Sequence, residues 1–122
     1  MNRGLRNPVS PAATALDHVL RIEGPLHRMR LKETGRLEIA RELVEAGLAA
    51  ELEDGHVVSI DWVAGAFDRI LDTLPCDHKT VAKTLELSNG LSRALLAHLV
   101  RDGMIKRSEG RFSIASAKAS RG

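Results

Sequence analysis

The chain has no tyrosine, one tryptophan and two phenylalanines among its 122 residues. A core built from it must be aliphatic, of Leu, Val, Ile and Ala, as suits small helical domains. The same scarcity argues against proteins that stack single-stranded bases on exposed rings. Cysteine is nearly absent as well. Cys76 stands alone, so no intrachain disulfide forms and a cysteine-rich zinc site is excluded. Beside Pro75 it reads as a small, half-buried residue rather than a reactive thiol. No apolar run approaches the ~20 residues of a membrane span. Met1 to Pro11 is polar, carries Arg3 and Arg6, and lacks the apolar stretch of a signal peptide. A cytoplasmic protein without a membrane partner is expected.

Catalytic and metal-binding patterns are missing too. The five histidines, His18, His27, His56, His78 and His98, are scattered along the chain. None has the spacing, with a carboxylate base, that marks a metalloprotease helix. Glu51 and Glu53 read as a strand edge, and Glu42 and Glu45 as a solvated helix face. There is no Ser-His-Asp or Cys-His arrangement and no glycine-rich phosphate loop. No catalytic residue, metal or cofactor is therefore expected, and the chain does not read as an enzyme.

What is present is an ordinary soluble composition, 43% hydrophobic and 28% charged, enough for one domain or two very small ones. Charge is unevenly placed. Ala15 to Ile60 carries six basic and nine acidic residues, whereas Asp61 to Gly122 carries ten basic and seven acidic. A polyanion would therefore meet the C-terminal half and the N-terminal tail.

The chain also repeats itself at about fifty residues. Ala15-Leu16-Asp17-His18-Val19-Leu20 returns as Ala66-Phe67-Asp68-Arg69-Ile70-Leu71, and His27 returns as His78, both at an offset of 51. Leu43 to Leu48 returns as Leu99 to Met104, and His56 to Ile60 matches Gly110 to Ile114 in pattern. In the second copy the apolar stripe of Val63 to Leu74 predicts a helix that Pro75 ends. Asp77 is placed to cap a helix from Lys79 to Leu85, and Ser88 one from Asn89 to Arg101. Gly103 stands where a left-handed residue closes a helix. Met104 to Arg107 and Arg111 to Ile114 flank a Gly-containing turn and read as a hairpin.

Helix, helix, turn, helix and hairpin is the winged helix-turn-helix order. The first copy reads as a degenerate version. It has helices at Ala15 to Ile22 and Arg36 to Ala46, one short helix between Leu26 and Gly35, and a hairpin turning at Asp54-Gly55. Trp62 reads as a plug between the copies. The expected fold is mainly α with small β-hairpin wings (α+β), as two tandem winged helix-turn-helix units. Residues 1–14 are a flexible tail, 15–61 the degenerate unit, 62–115 the complete one, and 116–122 a disordered tail.

This layout resembles the tandem winged-helix array at the C-terminus of the bacterial selenocysteine-specific elongation factor. The likeness rests on Trp62-Val63, Phe67, Ile70-Leu71 and on Leu95-Leu96 through Leu99-Val100-Arg101-Asp102-Gly103-Met104-Ile105-Lys106-Arg107. It implies the fold and, as a function, the gripping of an RNA hairpin. The pattern is also similar to bacterial winged-helix transcription regulators.

A winged helix reads DNA with its second motif helix in the major groove, while the wing touches backbone or minor groove. Asn89, Ser92, Arg93 and Ala97 lie opposite the leucines of their helix, and Asn and Arg suit adenine and guanine edges. Lys79 and Lys83 lie on the preceding helix, and Lys106, Arg107 and Arg111 on the wing. Ala97 aside, these eight residues form the expected nucleic-acid-binding site. Double-stranded DNA, in a transcription-regulatory role, is the main expectation; structured RNA is the alternative that the resemblance implies. The helix from Arg36 presents a mixed face that suits phosphate poorly. Residues 15–61 are thus expected to hold a protein partner or a homodimer contact, and an adaptor made of two winged-helix scaffolds is a further alternative.

Overall fold

Ser10 and Pro11 start the first helix. The Ser10 hydroxyl accepts from the Ala13 N–H at 3.1 Å, and proline at the first helical position lacks only an N–H that would be unpaired there. Helix α1 runs Pro11–Glu23. The expectation of a flexible tail through residue 14 is thereby corrected. A computed structural model describes residues 9–115; residues 1–8 of that tail, and the tail expected at 116–122, lie outside the described residues. Glu42 of helix α3 (Leu37–Glu45) adds a second tie, accepting from the Ser10 N–H at 2.7 Å and hydroxyl at 2.9 Å. Glu42 is therefore a structural acceptor, not part of a purely solvated face. Ala13, Leu16 and Leu20 bury one stripe of α1 against Leu31, Ala40, Leu43, Ala49 and Val57, the aliphatic core that the composition dictates.

Strand β1 is two residues, Leu26–His27, and leads into helix α2, Arg28–Glu33. The His27 ring caps α2, its Nδ1 accepting from the Met29 N–H at 3.2 Å. Strands β2 (Ala49–Glu51) and β3 (His56–Ser59) form the expected hairpin across Asp54-Gly55. There the Asp54 carboxylate accepts from the His56 N–H at 3.1 Å, so Asp54 holds its own turn closed. β1 pairs with the other edge of β3, Leu26 opposite Val57, and makes a three-stranded sheet in the order β1-β3-β2.

Ser59 accepts from the Trp62 N–H at 2.8 Å and starts helix α4, Ile60–Ile70, two residues ahead of Trp62. One compact unit ends at Ala64 and a second begins at Gly65. Trp62 falls in the first. Its indole nitrogen is 3.5 Å from where a Cβ on Gly24 would stand.

In the second unit a 3-10 turn, Leu71–Thr73, follows α4, and Leu74 is extended ahead of Pro75, as the residue before proline prefers. Asp77 accepts from the Thr80 N–H at 3.0 Å and caps helix α5, His78–Leu85. Glu86 turns the chain in a left-handed conformation, φ 58°. Ser88 then accepts from the Leu91 N–H at 3.1 Å and caps helix α6, Asn89–Arg101. Leu91, Leu95, Leu96 and Leu99 are buried, the stripe expected from their spacing. Gly103 closes the helix at φ 79°. Strands β4 (Ile105–Ser108) and β5 (Arg111–Ile114) form the hairpin. Its two turn residues, Glu109 and Gly110, have φ 54° and 78°, the left-handed pair that matches the twist of two antiparallel strands.

Cys76 exchanges both backbone hydrogen bonds with Phe112, at 3.0 and 2.7 Å, so it is buried, not half-buried. It flanks β5 as β1 flanks β3. The order helix, hairpin-flanking bridge, helix, helix and hairpin thus occurs twice along the described residues. The residue that corresponds to His27 is Asp77 rather than His78, because each caps the second helix of its unit. The chain is mainly helical with small antiparallel strand pairs, an α+β winged-helix fold.

Candidate nucleic-acid interface

The site rests on α6, whose direction is fixed by the Ser88 cap at one end and Gly103 at the other. A helix turns about 100° per residue. Counted from Asn89, Arg93 lies at about 40°, Ala97 at about 80°, Gly90 at about 100° and Arg101 at about 120°. Asn89, Gly90, Arg93 and Arg101 are exposed, and Ala97 is half-buried. Ser92 falls at about 300°, between Leu99 at about 280° and Leu96 at about 340°. It is 0% exposed, and its hydroxyl has no hydrogen-bond partner among the described residues. Ser92 therefore does not belong to the surface in which the sequence placed it. Arg101 does share that surface and was overlooked, although the four-residue spacing Asn89, Arg93, Ala97, Arg101 points to it.

Lys79 and Lys83 are exposed one turn apart on α5. Lys106 and Arg107 are exposed on β4 and Arg111 on β5. The Arg111 guanidinium donates to the Pro75 carbonyl at 3.0 Å. That of Arg107 stands 5.9 Å from the centre of the Phe112 ring, within cation–π range. Both arginines are thus oriented by the hairpin and the Pro75-Cys76 segment beside it. Among the described residues, none of Lys79, Lys83, Arg93, Lys106, Arg107 and Arg111 is paired with a carboxylate. In the first unit Arg30 and Lys32 are likewise exposed and without a carboxylate partner among the described residues, but three arginines are paired. There Arg21 pairs with Asp17 and Asp61, Arg28 with Glu51, and Arg41 with Glu38, at 3.1 to 3.5 Å. Such exposed pairs add little stability, but they remove those cations from any other use.

Asp77 lies two residues before Lys79. The backbone N–H of Thr80, then its hydroxyl, hold the Asp77 carboxyl below its ordinary value, helped by the charges of His78 and Lys79. Its negative charge is engaged in the α5 cap.

Two of the scattered histidines meet in the first unit. The His27 and His56 rings pack edge to face with centres 5.1 Å apart. Asp54 joins them: its carbonyl accepts from His27 Nε2 at 3.0 Å and its carboxylate lies 2.7 Å from His56 Nδ1. Both His27 nitrogens therefore serve the fold. No group of three or more His, Cys, Asp or Glu able to hold a metal occurs among the described residues. No described helix is long and apolar enough to cross a membrane.

No family model matches the chain, and no curated protein matches it either. Solved structures do. A crystal structure of a bacterial selenocysteine-specific elongation factor matches 86% of this chain at a TM-score of 0.78 and 14% identity, and the chain spans 18% of that factor's length. The mRNA-binding domain of elongation factor SelB from E. coli, solved in complex with SECIS RNA, matches 87% of this chain at a TM-score of 0.64 and 15% identity. There the match covers 98% of the domain. At such identities the likeness is one of fold, and the fold is that of the winged-helix domains of the selenocysteine-specific elongation factor, as the residue pattern implied.

Proposed function

We propose that this chain binds structured RNA through its second unit, with α6 and the β4–β5 hairpin as the contact surface. The reading treats the two units as tandem winged helices. The observation that carries it is the set of six exposed cations, Lys79, Lys83, Arg93, Lys106, Arg107 and Arg111, none paired with a carboxylate among the described residues. Choosing RNA over the double-stranded DNA first expected rests on the SelB domain, which this fold matches along 98% of its length and which was solved with RNA. The groove chemistry agrees with that choice in one respect. The deep, narrow groove of an RNA helix does not admit side chains, so sequence is read in loops and bulges while cations follow the backbone. A short exposed arc carrying Asn89, Arg93 and Arg101, with a cationic hairpin beside it, suits that division.

DNA remains the competing outcome, because Asn89 and Arg93 sit near the start of α6, where a helix enters the major groove. Competition for the full chain between a hairpin RNA and a random duplex DNA decides between them. Hairpin RNA should displace the duplex and not the reverse; a duplex that wins at every salt concentration returns the DNA reading. Six phosphate contacts would also weaken duplex binding about a thousandfold between 50 and 200 mM salt. An affinity for both nucleic acids that ignores salt would point to the adaptor alternative.

A further inference from the structure

In the first unit, the surface of α3 that corresponds to the exposed arc of α6 has a different chemistry. A groove of about 150 Å³ lies between α3 and the β2–β3 hairpin, with Leu37, Ala40, Val44 and Val57 as its apolar lining. Sites for small molecules begin near ~300 Å³, so this one has room for about one large side chain. The two arginines that line it are neutralised, Arg28 by Glu51 at 3.5 Å and Arg41 by Glu38 at 3.1 Å. Glu45 also lines it, is exposed, and meets no cation among the described residues. Past the end of α3, Leu48 and Ile60 share a backbone hydrogen bond of 3.0 Å. Val44, Leu48 and Ile60 are 37%, 38% and 39% exposed. With nine acidic against six basic residues from Ala15 to Ile60, the surface disfavours phosphate.

We propose that this groove docks a cationic amphipathic helix from a protein partner. One apolar side chain of that helix sits among Leu37, Ala40, Val44 and Val57, and a neighbouring Lys or Arg pairs with Glu45. The mode is that of a helix laid in an apolar groove, with the residual negative charge of the rim selecting its sign. It does not depend on the RNA reading.

The test titrates the isotope-labelled full chain with a synthetic helical peptide of about fourteen residues, four turns. The peptide is leucine on one face and lysine on the other, and a leucine/glutamate peptide serves as its charge-inverted control. Saturable NMR shifts at Val44, Glu45 and Val57, seen with the lysine peptide and not with the glutamate one, are expected. Glu45→Lys should weaken the peptide roughly tenfold and Val44→Lys should abolish its binding. Both residues are exposed, so circular dichroism and hairpin-RNA affinity should be unchanged in the variants. Equal binding of the two peptides, shifts confined to other residues, or no saturable shift would overturn the proposal. So would movement of the same signals by RNA alone, or by self-association on raising the protein concentration. Failure of the RNA reading would show separately, as no hairpin binding by the wild type while the peptide titration stands.

Discussion

Replacing Ser92 by alanine should stabilise the protein and leave RNA binding unchanged. Ser92 is fully buried in the apolar face of α6, and its hydroxyl has no hydrogen-bond partner among the described residues. A buried polar group without a partner costs about 1–3 kcal/mol, and alanine is also the better helix former by up to ~0.7 kcal/mol. Against this stands the void left by one oxygen atom, smaller than the methyl-sized cavity that costs ~1 kcal/mol. The balance is a gain of about 1 kcal/mol, or an increase of about 4 °C in melting temperature for a chain of this size. Urea and thermal unfolding followed by circular dichroism measure the gain, and RNA titration checks the surface. Destabilisation by more than ~0.5 kcal/mol would mean that the hydroxyl is satisfied. Weaker RNA binding would put Ser92 back in the interface and refute the helix geometry argued above.

Further consequences follow from the caps and turns. Ser88→Ala removes the α6 cap and should cost about 1 kcal/mol, read from the urea midpoint. Gly103→Ala meets open space and should cost only the left-handed backbone, about 1–2 kcal/mol. Gly55→Ala should cost more than Gly103→Ala in the same assay, because its Cβ would stand 2.8 Å from His27 Nε2. Asp77 is held below its ordinary value, so its contribution is present above the carboxylate range and is lost as pH falls through the folded value. Wild type should therefore melt above Asp77→Asn near neutrality, and the gap should close below about pH 4; a gap independent of pH would assign the cap to something other than the charge.

The second unit was legible because its punctuation is local. Asp77 and Ser88 each cap the start of an expected helix through backbone three residues on, and Gly103 follows the end of the second. The first unit was read from Ala15, where the repeat begins, and so the Ser10-Pro11 start signal just outside the repeat was passed over. Its link from Ser10 to Glu42, 32 residues away, leaves no local trace. Nor do β1 and the Cys76 bridge, since one or two residues have no alternation to detect. Histidine is not a usual capping residue, which hid the role of His27 and shifted the repeat alignment by one position. The burial of Ser92 is written in its spacing, which sets it between Leu99 and Leu96 around the helix, although its residue type suits a surface. The cations of the second unit were visible as residues, but that they are free of acidic partners, while three arginines of the first unit are not, required the structure.

The central claim is that the cations of α6 and the hairpin hold RNA. It is tested most directly by the salt dependence of hairpin-RNA binding in the full chain, compared between wild type and the triple variant Arg93→Ala, Lys106→Ala, Arg107→Ala. All three residues are exposed and none carries an ion pair among the described residues, so the variant should fold as the wild type does. Each lost phosphate contact should lower the slope of log affinity against log salt by about one. The triple variant should show a slope shallower by about two to three and a markedly weaker complex at low salt. Equal slopes and equal affinities in the two proteins would contradict it.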